Sequence, residues 1–228
     1  MASVIDEAPG RVTFAERAYR EIKARILENE FPAGSIMLEQ ELAALLEMSR
    51  TPVREALIRL AREGMIDVRP RHGMRVLPVS ANDMREIYQI LTALEAEAAA
   101  QIARDGATPA RLAELKAAVA EMDAALAADD LDAWALADDH FHRVILAFCG
   151  NERLKAIIEQ FMDQSHRVRK LTLRLRPRPV SSNDDHRALV AAIERRDAET
   201  AWRIHHAHRL RNGRMLVELL ERHGLGQL

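Results

Sequence analysis

The chain is nearly without cysteine. Cys149 stands alone among 228 residues, so no disulfide can form within the chain, which suits a reducing cytoplasm. Long apolar runs are missing too. Nowhere do the roughly eighteen consecutive apolar residues of a membrane span occur. The opening residues, MASVIDEAPGR, hold no apolar stretch of the kind a secretory signal needs. Glycine (9) and proline (8) are scarce. An excess of one charge is also absent. The net charge is −2, so the chain as a whole has no basic signature for nucleic acid, and any such surface has to be local. What is there is 48% apolar and 30% charged, rich in Ala, Leu, Glu and Arg. That mix predicts a mainly helical protein with a sizeable core, as one large domain or two small ones.

The few breakers divide the chain. Residues 1–12 read as a loose arm. Over residues 14–27 the apolar positions Ala15, Ala18, Tyr19, Ile22 and Ile26 recur three or four apart, a helical face. NEFPAGS interrupts it. A second short helix is expected over about 39–46 and a third over SRTPVREALIRL, ended by Gly64. Ile66 and Val68, then Val76, Leu77 and Val79, flank the basic tip RPRHG and predict a β-hairpin. From Ser80 the pattern is helical throughout, opening on a capping box with Asp83 in the acidic position. Helices are expected over about 81–105, 109–128, 131–149, 151–174, 183–196 and 198–223. The fold class is therefore mainly α: a winged helix-turn-helix over 13–79, then an all-α antiparallel bundle over 80–228.

The third helix carries donors where a recognition helix needs them. Ser49, Arg50, Thr51 and Arg54 crowd its start. An N-terminal end laid into the major groove meets base edges and phosphates there. Pro52 is tolerated because first-turn N–H groups have no partner within the helix. Val53, Ala56, Leu57 and Leu60 form the packing stripe. Residues 50–75 hold seven arginines against three acids, a local charge of +4 in a chain of net −2. The wing tip, Arg71, His72 and Gly73, is placed to approach the minor groove. Helix periodicity alone is equally compatible with an ordinary solvated arginine face; the wing, the helix order and the local charge favour DNA.

These residues resemble the N-terminal domain of the GntR superfamily of bacterial transcription regulators, through LEQELAALLEMSRTPVREALIRLAREGMI and the wing RPRHGMRV. The resemblance implies that Ser49, Arg50, Thr51 and Arg54 contact an operator in double-stranded DNA. Gln40 stands where some relatives place a basic DNA-contacting residue.

In the second half, Asp138 and His142 lie four apart, on one helix face. His186 and His208 stand on two later helices. One Asp and three His form a borderline-soft donor set that suits Zn²⁺, Ni²⁺, Fe²⁺ or Mn²⁺. The alternative is a set of unrelated surface or core histidines. Here the chain resembles the FCD effector domain of the FadR-like branch: Asp138 to His142 match its D..FH, Gly150-Asn151 its GN, and His186, Ile193, Asp197 and Ala201 its later pattern. The resemblance implies a divalent transition metal, zinc foremost, on Asp138, His142, His186 and His208. It also implies a small effector, an organic acid or a related metabolite. Relatives often read R..LE in the first helix of this domain, with the arginine holding a carboxylate. This chain has LTALE, so Leu91 occupies that position and Glu95 is kept. Arg143, Arg167 and Arg169 are candidates to replace the arginine, and Leu91 implies a more apolar pocket.

The expectation is a homodimeric, metabolite-responsive regulator, a repressor released from a palindromic operator, with no membrane partner. Two alternatives stand beside it. One is a metal-dependent hydrolase with a DNA-binding head, for which Asp139 and Glu95 are the only acid or base candidates. The other is a metal-free bundle used solely for dimerisation.

Overall fold

Thr13 starts the first helix, α1 (Phe14–Leu27), by accepting a hydrogen bond from the Glu16 backbone N–H at 3.1 Å. The helix buries the stripe Ala18, Tyr19, Ile22 and Ile26. In this computed structural model, which describes residues 12–69 and 73–223, the stripe meets the buried face of α3 (Arg50–Arg62) and of α2 (Glu39–Leu45). Val53, Ala56, Leu57 and Leu60 form the α3 side of that core. Gly64 follows α3 at φ +71°, a left-handed conformation that glycine adopts without a Cβ penalty.

The hairpin pairs β2 (Ile66–Arg69) with β3 (Gly73–Val76) in antiparallel register, Ile66 opposite Val76 and Arg69 opposite Gly73. A strand that the sequence reading does not foresee, β1 (Ile36–Met37), adds to the other side of β3. Two residues are too short to display an alternating pattern, so only the backbone reveals it. Gly73 sits where this third strand crowds in. Its φ is +75°, and a Cβ would lie 2.1 Å from the Met37 carbonyl oxygen. The wing-tip residues Arg71 and His72 lie outside the described residues.

Ser80 and Asp83 form the expected capping box, each side chain accepting from the other's backbone N–H. They start the long helix α4 (Ala81–Asp105). Five more helices follow: α5 (Pro109–Ala127), α6 (Leu131–Phe148), α7 (Glu152–Leu171), α8 (Val180–Glu194) and α9 (Ala198–Arg222). α4 packs along α9, α5 against α6 and α8, and α8 against α9. Two boundaries differ from expectation. α7 ends at Leu171 and tightens into a 3₁₀ turn, Leu173–Leu175. α8 begins at Val180 directly after Pro179, because Ser181, Ser182 and Asn183 form a first helical turn rather than the loop their polarity implied.

The chain divides between Pro78 and Val79 into two compact units, each with its own apolar core. No helix among the described residues is long and apolar enough to cross a membrane.

Candidate functional sites: a recognition helix and a buried histidine cluster

In the first unit, α2 and α3 are joined by a tight link and present one polar face. Gln40, Ser49, Arg50, Thr51 and Arg54 are all exposed. The Ser49 side chain makes no capping bond to α3, so its hydroxyl is not committed to the helix. Arg50 reaches Glu39 only at 3.5 Å, and Arg54 has no carboxylate partner among the described residues. Gln40, Arg50, Arg54, Arg69 and Gly73 border one recess of about 380 Å³, which brings α2, α3 and the wing to a common surface. The local positive charge is not all available there. Arg59 bonds Glu16 at 2.8 Å and lies 3.5 Å over the Tyr19 ring, on the opposite side of α3, and Arg69 bonds Asp67 at 2.8 Å.

In the second unit, three helices bring the four expected metal ligands together. Asp138 and His142 come from α6, His186 from α8 and His208 from α9, and all are buried. Ligand nitrogens of the three histidines lie within 4.8 Å of one another. Asp138 Oδ1 is 3.7 Å from His142 Nε2 and 3.9 Å from His186 Nε2. Among the described residues, neither ring nitrogen of His142 or of His186 makes a hydrogen bond of good geometry, although all four are buried. Orphaned buried nitrogens are costly in a closed core and ask for a ligand. Burial, followed by the Arg209 charge, lowers the His142 pKa to about 3. Burial and neighbouring positive groups hold His186 and His208 well below the usual imidazole value. The rings are therefore neutral at pH 7, the form that ligates metals. The donor set fits a divalent transition ion.

Around the cluster lies a set of orienting groups. Asp138 Oδ2 accepts from Arg169 Nη1 at 2.6 Å, which leaves Oδ1 toward the histidines. His208 Nδ1 is 3.0 Å from Asp185 Oδ2. Glu95 Oε2 is 3.4 Å from His142 Nδ1, 3.2 Å from His205 Nε2 and 2.8 Å from Arg209 Nε. Burial pushes the Glu95 carboxyl up, but Arg209 and the two histidines hold it well below the carboxylate range. Burial likewise opposes ionisation of Asp139, yet His166, Arg169 and Arg143 keep it below its ordinary value. Both acids are thus fixed anions with cationic partners, a poor state for a general base.

A cavity of about 130 Å³ opens beside the cluster, reached by Asp138, His208, Arg169, Arg176 and Trp134. Trp134 is held by its Nε1–H donating to Asn183 Oδ1 at 2.8 Å. Of the five candidate effector residues, Arg169 lines this cavity and the other four do not. Leu91 is buried in the core and Glu95 is buried in the hydrogen-bonded set behind the ligands. Arg143 lies outside, paired with Asp139 and Asp163. Arg167 is buried away from it. The expected apolar patch from Leu91 is therefore absent from the cavity wall.

Sequence reasoning missed His205, Arg209, Asp185 and Arg176. His205 lies three residues before His208, on the same helix face, so helical spacing alone would have found it. Arg176 sits in the irregular RPRP segment, where no periodicity points inward.

A helix pair with a wing, in a chain that also carries a helical unit with a buried histidine cluster, is the arrangement of a DNA-binding transcription regulator, and the comparisons agree. The chain belongs to the bacterial regulatory proteins of the gntR family: residues 14–76 match that family's model and residues 86–211 match the FCD domain. It is 41% identical over 140 residues to an HTH-type transcriptional regulator in the TAR-I ttuE-ttuC' intergenic region of Agrobacterium vitis, covering 60% of this chain and 80% of that one. It is 30% identical to the HTH-type transcriptional repressor GlaR of Escherichia coli (strain K12), covering 82% of this chain and 90% of that one. Among solved structures, E. coli McbR/YncC superimposes with a TM-score of 0.78 at 24% identity, over 92% of this chain and 99% of that one.

Proposed function

We propose that this regulator is a cytoplasmic, homodimeric repressor that leaves a palindromic operator when a small organic acid or related metabolite enters the cavity beside a metal site. The observation that carries this reading is the convergence of Asp138, His142, His186 and His208 into a buried set in which the His142 and His186 ring nitrogens make no hydrogen bond among the described residues, next to a cavity lined by guanidinium groups. Those four side chains would hold a divalent transition ion, zinc foremost, with nickel, manganese or iron also suited to the donors. When bound, the ion supplies a Lewis-acidic anchor for an oxygen-bearing ligand.

The chain's own residues do the rest. Arg169 aims Asp138, Asp185 orients the His208 ring and Glu95 faces the far nitrogen of His142, an outer shell of the kind that tunes ligands. Trp134 and Arg169 line the cavity and would limit which molecules enter. On the DNA side, Gln40, Ser49, Arg50, Thr51 and Arg54 contact the operator, with Arg71, His72 and Gly73 at the wing. A twofold dimer places two recognition helices about one DNA turn apart. Effector binding favours one arrangement of the bundle helices and so changes operator affinity, a coupling of about 1–3 kcal/mol that acts equally in both directions.

The test is elemental analysis of the purified protein, combined with binding to DNA that the wild type selects from a random pool. The wild type retains a stoichiometric transition metal. His142→Ala and His208→Ala lose it and lose metabolite-induced release while still binding DNA. Unchanged metal content and unchanged release in both variants would overturn the pocket.

A further inference from the structure

The cavity beside the histidine cluster is lined by five arginines: Arg169, Arg176, Arg178, Arg209 and Arg211. Among the described residues, Asp138 is the single acidic side chain on its wall. Four of the five guanidiniums are matched by carboxylates. Arg169 bonds Asp138 and Asp139, Arg178 lies 3.3 Å from Asp129, Arg209 bonds Glu95, and Arg211 pairs with Asp185. Arg176 is different. Among the described residues it has no carboxylate within ion-pair distance. Its Nη2 donates to the Arg169 carbonyl oxygen at 2.7 Å, and its Nε is buried without a partner. Arg176 is half-buried, and a cation left this way is costly unless something negative arrives. Burial, with Arg169 close by, lowers its pKa to about 10, so it still carries its charge at pH 7.

A second observation points the same way. Ser181 and Ser182, in the first turn of α8, line the same cavity, and α8 has no side-chain cap. The Val180 and Ser182 backbone N–H groups bond the Arg178 and Pro179 carbonyls, so what α8 offers an anion here is the two serine hydroxyls and the positive end of the helix dipole.

We propose that Arg176 receives a second acidic group of the effector, so that the ligand class is a compact dianion such as a short dicarboxylate. One carboxylate faces Asp138 and the histidines, and the other is held by the Arg176 guanidinium and the start of α8. This rests on the proposed effector cavity. Its size agrees: an internal cavity of about 150 Å³ accommodates a benzene ring, and this one, at about 130 Å³, takes a molecule of roughly six to eight non-hydrogen atoms.

The probes are succinate and butyrate, which share a four-carbon skeleton and differ by one carboxylate. Each is titrated calorimetrically into metal-loaded wild type, Arg176→Gln and Arg176→Lys, with circular dichroism as the check on folding. The wild type binds succinate at least tenfold more tightly than butyrate. Arg176→Gln erases that preference while leaving butyrate affinity unchanged, and Arg176→Lys keeps part of it. Equal binding of the two acids by the wild type, or an equal loss of both in Arg176→Gln, overturns the role of Arg176 and leaves the cavity standing. If neither acid binds the metal-loaded wild type, the dianion class is wrong; a protein that holds no metal at all fails at the earlier reading instead.

Discussion

At the residue scale, the cluster is a store of unprotonated imidazole. His142, His186, His205 and His208 are all buried and all have pKa values below the ordinary imidazole range, with burial as the first cause. A group with a lowered folded-state pKa binds fewer protons when folded than when unfolded. Stability therefore rises with pH across the window between the two values. For His142 that window runs from about 3 to the ordinary imidazole value of 6.5. Each such histidine contributes up to about 1.4 kcal/mol per pH unit there. Glu95 acts in the same direction, but only below the carboxylate range, because its stabilising charge is lost as it protonates. The expected outcome for chelator-treated protein is a urea midpoint that holds between pH 8 and 7 and falls steeply from pH 6.5 to 4. A midpoint that is flat across that interval would mean the imidazoles are solvated.

At the element scale, the helices were legible and the thin pieces between them were not. The stripe on α3 and the crowding of Ser49, Arg50, Thr51 and Arg54 at its start follow from spacing, and the structure puts the stripe in the core and the donors in the open. Asp138 and His142 share a face for the same reason. Periodicity could not say that β1 exists or that Arg59 is spent on Glu16 and Tyr19, since each depends on contacts between segments distant in sequence, nor that Arg176 bonds back to the Arg169 carbonyl, since it lies in an irregular segment with no period. Gly73 shows the difference. It reads as a wing-tip residue, yet its left-handed φ and the nearby Met37 carbonyl make it a steric requirement of the three-stranded sheet. Gly73→Ala should destabilise the protein by about 1–3 kcal/mol, read from chemical denaturation. Arg54→Ala, on an exposed position, should leave stability within about 0.5 kcal/mol but cost about 1–3 kcal/mol of operator binding and relax preference at one base. An equal loss on operator and random DNA would assign Arg54 to phosphate alone.

At the scale of the whole molecule, two separate cores imply two separable stabilities. The N-terminal unit has its own buried set around Ile22, Leu57 and Met74, and the effector unit its own around Leu91, Phe141 and Leu189. The proposed metal ligands all belong to the second. A ligand that binds only the folded form stabilises that form by about 2.7 kcal/mol at a concentration one hundred times its Kd. Loading zinc onto the chelated protein should therefore raise the calorimetric transition of the effector unit by the full binding term. The transition of the N-terminal unit can move only by what the two units share. If regulation works through a coupling of about 1–3 kcal/mol, that share is real but smaller than the direct term at saturating zinc. Two resolved transitions, one shifted strongly and one weakly, are expected. A single transition moving as a whole would mean the units fold as one body, and the effector would then act by changing the stability of the entire chain rather than by biasing one unit against the other.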